Sequence, residues 1–226
     1  MYSQEQAYNE SLKYFNGNEL AANVFVNKYA LRDNDGNILE QTPDQMHRRL
    51  AKEFARIEAK KFKNPYSEDF LYKYFQYFWK IIPQGSALTG IGNEHQYVTL
   101  SNCYVVESPV DSYGGIARAD HDLLQISKRR GGVGLDLSHL RPESVSVKNA
   151  ARTSTGILSW MHRYSNSIRE VGQNNRRGAL MLTLSVHHPQ ILDFIHAKDD
   201  DVSVTGANIS VRLTDEFLTA VENDTD

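Results

Sequence analysis

The chain has 226 residues, 40% hydrophobic and 23% charged, with a formal net charge of −3. Such a chain can bury a sizeable core in one large domain or two small ones, and the small negative charge excludes a general field for nucleic acid or anionic membrane. The single cysteine excludes an internal disulfide and a cysteine metal centre and fits a reducing, cytoplasmic setting.

The N-terminus, MYSQEQAYNE, lacks the layout of a signal peptide, and no apolar run approaches a membrane span. The first eighty residues read as mainly helical. Asp33-Asn34-Asp35-Gly36 is a turn cluster, and Thr42 precedes Pro43 as an N-cap does. From Asp44 to about Lys63, Met46, Leu50, Phe54 and Ile57 recur at helical spacing. A second helix is expected over Glu68–Ile82, with its many aromatics in the core. Pro83 and Gly85 end it, and a loop continues through Gly90, Gly92 and Asn93.

The texture then changes to short strands, glycine turns and helices. VTLSNCYVVE (98–107) is a strand pattern, 115–129 a helix, and 133–137 a short strand. Residues 153–171 form a helix with Ile157, Met161, Tyr164 and Ile168 on one stripe. ALMLTLS (179–185) is a buried-type strand, 190–196 begins a helix, ANISVRL (207–213) is a strand, and 215–222 begins a last helix. Alternating strands and helices imply an α/β layout with parallel strands. The division expected is a helical region at 1–80 and an α/β region at 81–226. With four or five candidate strands, this second region reads as cut short.

Three segments carry candidate chemistry. In SKRRGGVGLDLSHLRP (127–142) the glycines let backbone N–H groups approach a phosphate that the cations neutralise, although a solvated turn explains the same residues. VGQNNRRGAL (171–180) offers amides to a base edge and two arginines to phosphates or a ring, or is an exposed polar loop. Asp111-Ser112 suits a ribose or base, or the N-cap of the next helix. Cys103 is either a small apolar filler of its strand or a reactive thiol. His187-His188-Pro189 is a poor metal pair, because adjacent strand residues face opposite sides, and reads as structural.

Taken in order, SNCYVV, DSYGGI, SKRRGGVGLDLSHLRP, TSTGILSWMHRYSNSI, GQNNRRGALMLTLSVHHPQILDFIHAK and ANISVRLTDEF resemble the large, catalytic subunit of ribonucleotide reductase. The likeness runs from about residue 81 to 226, and more loosely back to VFVNKYALRD near residue 24. It implies the first half of a ten-stranded α/β barrel and no separate N-terminal ATP-cone. In that family a loop cysteine becomes a thiyl radical and abstracts the ribose 3′-hydrogen. A pair of cysteines then supplies reducing equivalents as the 2′-hydroxyl leaves. Cys103 matches the first of that pair; the second and the radical cysteine have no counterpart here, so this chain alone is not expected to reduce nucleotides.

The resemblance further implies substrate contacts at Ser86, Ser101, Asn102, Gly132 and Arg176. Asn102 stands where a serine is usual. A nucleoside triphosphate effector would be held by Asp111, Ser112, Tyr113, Arg141, Lys148 and Gln173, with the 172–179 loop linking effector to substrate choice. The implied substrates are ribonucleoside diphosphates. No metal or cofactor is expected on this segment. The radical would come from a metal-containing small subunit or, alternatively, adenosylcobalamin. Implied partners are the C-terminal remainder of the large subunit, a second copy through helices 115–129 and 153–171, and a thioredoxin- or glutaredoxin-type reductant. No nucleic acid or membrane is expected. A stand-alone nucleotide-binding regulatory module is the competing reading.

Overall fold

The computed structural model describes residues 1–171, 178–200 and 202–225. The chain divides into two compact units, Met1–Asn102 and Cys103–Asp226. The segment 81–102, expected with the second region, falls in the first unit.

In the first unit, α1 (Gln4–Tyr14) starts at a reciprocal cap. The Ser3 hydroxyl accepts from Gln6 N at 3.1 Å, and the Gln6 side chain accepts from Ser3 N at 2.9 Å. Helix α2 (Glu19–Val24) runs into a π-helical turn at Phe25–Tyr29. The turn at 33–36 forms as expected: an Asp33 carboxylate oxygen accepts from Asp35 N at 3.0 Å and Asn37 N at 2.8 Å. Helix α3 (Pro43–Lys61) has Pro43 in its first turn, and Thr42 is its N-cap without a side-chain bond. Met46, Leu50 and Ala51 from α3 join Phe25, Ile38 and Phe75 in the core of this unit.

The expected helix to Ile82 stops early. Helix α4 covers Glu68–Phe75, followed by a 3₁₀ turn at Gln76–Phe78, and α5 covers Gly85–Gly90 in the segment read as loop. Tyr77 and Phe78 both adopt φ near +55°. Packing explains the break: Tyr77 stacks on Tyr14 at 5.7 Å, while Phe78 meets His47 edge-on at 4.6 Å. A continuing helix could not deliver both rings. Phe75 is buried, but Tyr77 is 72% and Trp79 67% exposed, so these aromatics do not all enter the core.

His47, on α3, is buried with neither ring nitrogen hydrogen-bonded. Burial lowers its pKa to about 4, with Asp44 opposing weakly. The unfolded chain therefore takes up a proton below the ordinary value of 6.5, while the folded chain resists until about 4. Stability is full above the unfolded value and falls by about 3 kcal/mol as pH drops across that window. Urea unfolding from pH 7 to 4 should show this slope, and His47→Leu should flatten it. An unchanged slope in the variant would place the acid sensitivity elsewhere.

The second unit alternates strand and helix. Its elements are β1 (Cys103–Val105), α6 (Tyr113–Ser127), β2 (Gly132–Asp136), α7 (Gly156–Glu170), β3 (Leu180–Ser185), α8 (Ile191–His196), β4 (Asn208–Arg212) and α9 (Asp215–Asn223). The strand expected over 98–107 contracts to the three residues of β1. All neighbours are parallel, and the order is β1-β2-β3-β4, the sequential order of an α/β barrel wall.

Register separates two faces. Tyr104, Val133 and Leu180 align on one, and Leu180, Leu182 and Leu184 pack there against Leu123 of α6 and Ile157, Met161, Tyr164 and Ile168 of α7. This is the stripe expected from the sequence. The Tyr164 hydroxyl donates to Ile116 O at 3.1 Å, joining the two helices. The opposite face carries Cys103, Val105, Gly132, Gly134, Asp136, Met181, Thr183, Ser185, Asn208, Ser210 and Arg212. It is mostly small or polar, as a surface for chemistry rather than packing would be.

Candidate functional site

Cys103 is exposed and aligns with Gly132 on the adjacent strand. On the same face, Asp136 accepts from the Ser138 hydroxyl at 2.5 Å and pairs with Arg212 at 2.5 Å. Burial pushes the Asp136 carboxyl up, but the Ser138 bonds and Arg212 outweigh it and hold the group below its usual range. The face therefore carries a fixed ion pair at the C-terminal ends of β2 and β4.

A second feature of this unit is a cleft of about 590 Å³. It forms where the chain enters α6 and α7. Ser112 is the N-cap of α6, its hydroxyl accepting from Gly115 N at 3.0 Å. That places Asp111 just before the helix, where its carboxylate accepts from Arg141 Nε at 2.6 Å. The N-cap and ligand readings of Asp111-Ser112 are therefore compatible: Ser112 caps, and Asp111 orients a cation. Beyond Arg141 the chain doubles back. Val147 N donates to Arg152 O at 2.8 Å and Ser154 N to Val145 O at 2.8 Å, forming a narrow flap that carries Lys148. It returns to Thr155, the N-cap of α7.

The starts of two helices of 15 residues each thus border one cleft. Helix N-termini present N–H groups and partial positive charge to anions. Asp111 offsets Arg141, which leaves Lys148 as the further cation of the lining among the described residues. Tyr113 and Trp160 supply an aromatic side, their rings 5.9 Å apart and 70° inclined. The arrangement suits a ligand with a flat ring at one end and phosphates at the other.

Of the expected effector residues, the structure brings together Asp111, Ser112, Tyr113, Arg141 and Lys148 around this cleft. Gln173 and Arg176 lie outside the described residues. Sequence reading missed Trp160, Ser154 and Thr155 in the lining; Trp160 looks like any partly buried helix aromatic, and no local signal marks it.

Among the expected substrate residues, Gly132 stands beside Cys103 in the strand register. In the first unit Asn102 accepts from Ser86 N through its side-chain oxygen at 2.8 Å. Ser86 is only 1% exposed, so it meets protein rather than solvent, whereas Ser101 is exposed. The two histidines diverge: His187 is exposed against Thr214 at 2.9 Å, and His188 is buried. Among the described residues no three His, Cys, Asp or Glu side chains converge on a metal position, and no helix is long and apolar enough to cross a membrane.

Comparison with known families matches residues 101–226 to the ribonucleotide reductase barrel domain and residues 15–96 to the ribonucleotide reductase all-alpha domain. The chain is 30% identical over 211 residues to the vitamin B12-dependent ribonucleoside-diphosphate reductase of Mycobacterium tuberculosis (strain CDC 1551 / Oshkosh), covering 89% of this chain and 29% of that protein. A protein of the same name from Thermoplasma acidophilum is 28% identical over 259 residues, covering 90% of this chain and 34% of its own length. The ribonucleoside-diphosphate reductase subunit alpha of Bacillus subtilis (strain 168) is 30% identical, covering 91% of this chain and 29% of its own length. The chain thus spans about a third or less of these relatives.

Proposed function

This chain belongs to the ribonucleotide reductase large-subunit family, and from that membership we propose that it supplies a reducing thiol and an effector cleft for the reduction of ribonucleoside diphosphates. Cys103 is read as one of two thiols that give the ribose two electrons. The 2′-hydroxyl leaves as water while the pair closes to a disulfide, so two thiols and a ribonucleotide become a disulfide, a deoxyribonucleotide and water. A thioredoxin- or glutaredoxin-type dithiol would reopen the bond by exchange, in a reducing cytoplasm. The 226 residues hold one cysteine, so the second thiol and the radical-forming thiol are assigned to polypeptide beyond them. The exposed sulfur on a small, polar sheet face beside Gly132 supports this role.

The radical source is assigned to a separate component: a metal-bearing small subunit, or adenosylcobalamin, since two of the relatives above carry vitamin B12 in their names.

The cleft is read as the site of a nucleoside triphosphate effector. The observation that carries this reading is the convergence of Asp111, Arg141, Lys148, two helix N-termini and an aromatic pair on one space. Arg141 and Lys148 take the phosphates, Asp111 and Ser112 the ribose, and Tyr113 and Trp160 flank the base. Ser101, Asn102 and Gly132 are read as substrate contacts, and Gln173 and Arg176 as the residues that carry the effector's identity to substrate choice. Pairing of α6 and α7 with their copies in a second chain would build the effector-bound dimer. Because the lining among the described residues lies within 111–160, the same cleft would also serve a stand-alone nucleotide-binding module, and loss of Cys103 function separates the two readings.

Calorimetric titration with thymidine triphosphate tests the cleft. Removing a charge-assisted contact in Arg141→Ala should weaken binding by roughly tenfold or more. Equal titrations for variant and parent would remove the cleft from the effector reading.

A further inference from the structure

We propose that His188 and Gln190, in the His-His-Pro-Gln run between β3 and α8, are positioning residues that set the shape of the effector cleft. The proposal deepens the effector reading and rests on it. Neither side chain lines the cleft; each acts through backbone groups that do the shaping.

The partners fix the tautomer of His188. Its Nε2 lies 2.9 Å from Leu140 O, a group that can only accept, so Nε2 carries the hydrogen. Nδ1 is then free to accept from Gln190 N at 3.1 Å. The same logic fixes the Gln190 amide. One atom of it lies 2.9 Å from Glu143 N and 3.0 Å from Ile157 N, two donors, so that atom is the oxygen. Its nitrogen donates to Asp193 at 3.3 Å.

The consequence is geometric. Leu140 and Glu143 bracket Arg141 in the chain, and Glu143 and Ile157 are the two feet of the flap that carries Lys148. One buried oxygen therefore closes the flap at its base, and one imidazole holds the entry to Arg141. Gly156 shows how tightly the junction is built. It sits at φ +73°, and a Cβ there would stand 2.6 Å from the Gln190 oxygen and 2.7 Å from Glu143 Cβ. Both cations assigned to the effector phosphates thus depend on side chains that never touch the ligand.

The test uses Gln190→Met, which removes the accepting oxygen at similar volume, in the 226-residue chain. Below its unfolding midpoint this variant should bind thymidine triphosphate and ATP roughly tenfold more weakly, because the Glu143 and Ile157 N–H groups lose their partner and the flap is no longer fixed. Amide exchange at Ser144, Val147 and Ser154 should speed up in Gln190→Met and stay slow in Gln190→Glu, which keeps an accepting oxygen. Parent-like affinity and exchange in a folded Gln190→Met would overturn the proposal. If the methionine variant fails to fold, Gln190→Asn withdraws the oxygen by one methylene and the same two measurements decide. Failure of the parent itself to bind either triphosphate would instead sink the effector reading, while the exchange comparison still judges whether Gln190 holds the flap.

Discussion

Replacing Cys103 by serine is expected to lower deoxyribonucleotide formation by the assembled reductase at least about a thousandfold, the scale seen when a group that carries the chemistry is removed. A hydroxyl has nearly the size of the thiol but cannot close a disulfide, so the two electrons have no donor. The exposed position of Cys103 and its alignment with Gly132 mean that the substitution disturbs no packed core. Thymidine triphosphate affinity should therefore stay at the parent value, because the cleft does not include this residue. Turnover in the serine variant matching the parent would take Cys103 out of the redox scheme and favour a pure nucleotide-binding module.

The second large effect concerns stability. Arg49 and Glu40 form an ion pair in the first unit, their side chains 10% and 6% exposed, with Arg49 Nε 2.7 Å from the carboxylate. The guanidinium also donates to the Leu88 carbonyl at 2.9 Å and to the Ile91 carbonyl, and so holds the C-terminal end of α5. Glu40 in turn accepts from Leu31 N at 3.1 Å. Arg49→Met leaves a buried carboxylate without its counter-charge and two carbonyls without their donor, which costs about 3–5 kcal/mol. For a chain of this size the thermal midpoint should drop by roughly 10 °C. The double variant Arg49→Met with Glu40→Leu should recover part of the loss, since no lone charge is then buried. A double variant no more stable than the single would show that the lost carbonyl contacts, common to both, dominate over the unpaired charge.

Much of the second unit was legible because its local signals agree with its packing. Leu180, Leu182 and Leu184 alternate with less buried residues, as a strand with one covered face requires. Ile157, Met161, Tyr164 and Ile168 repeat at helical spacing and are all buried. What escaped depends on distant partners. The turn at Tyr77 and Phe78 is dictated by Tyr14 and His47, which no window around residue 77 contains. Gln190 meets groups 47 and 33 positions away, so nothing near it in the chain marks it. Asp111 and Arg141 were read as separate contacts to a ligand, but in the structure they hold each other across 30 positions. The cation thus reaches the cleft already oriented, a fact invisible without coordinates.

The order β1-β2-β3-β4 leaves an outer strand on each side of the sheet. β1 has only three residues, and Val105 on it is 92% exposed. Such an outer strand offers a row of backbone N–H and C=O groups on which a further strand can be laid.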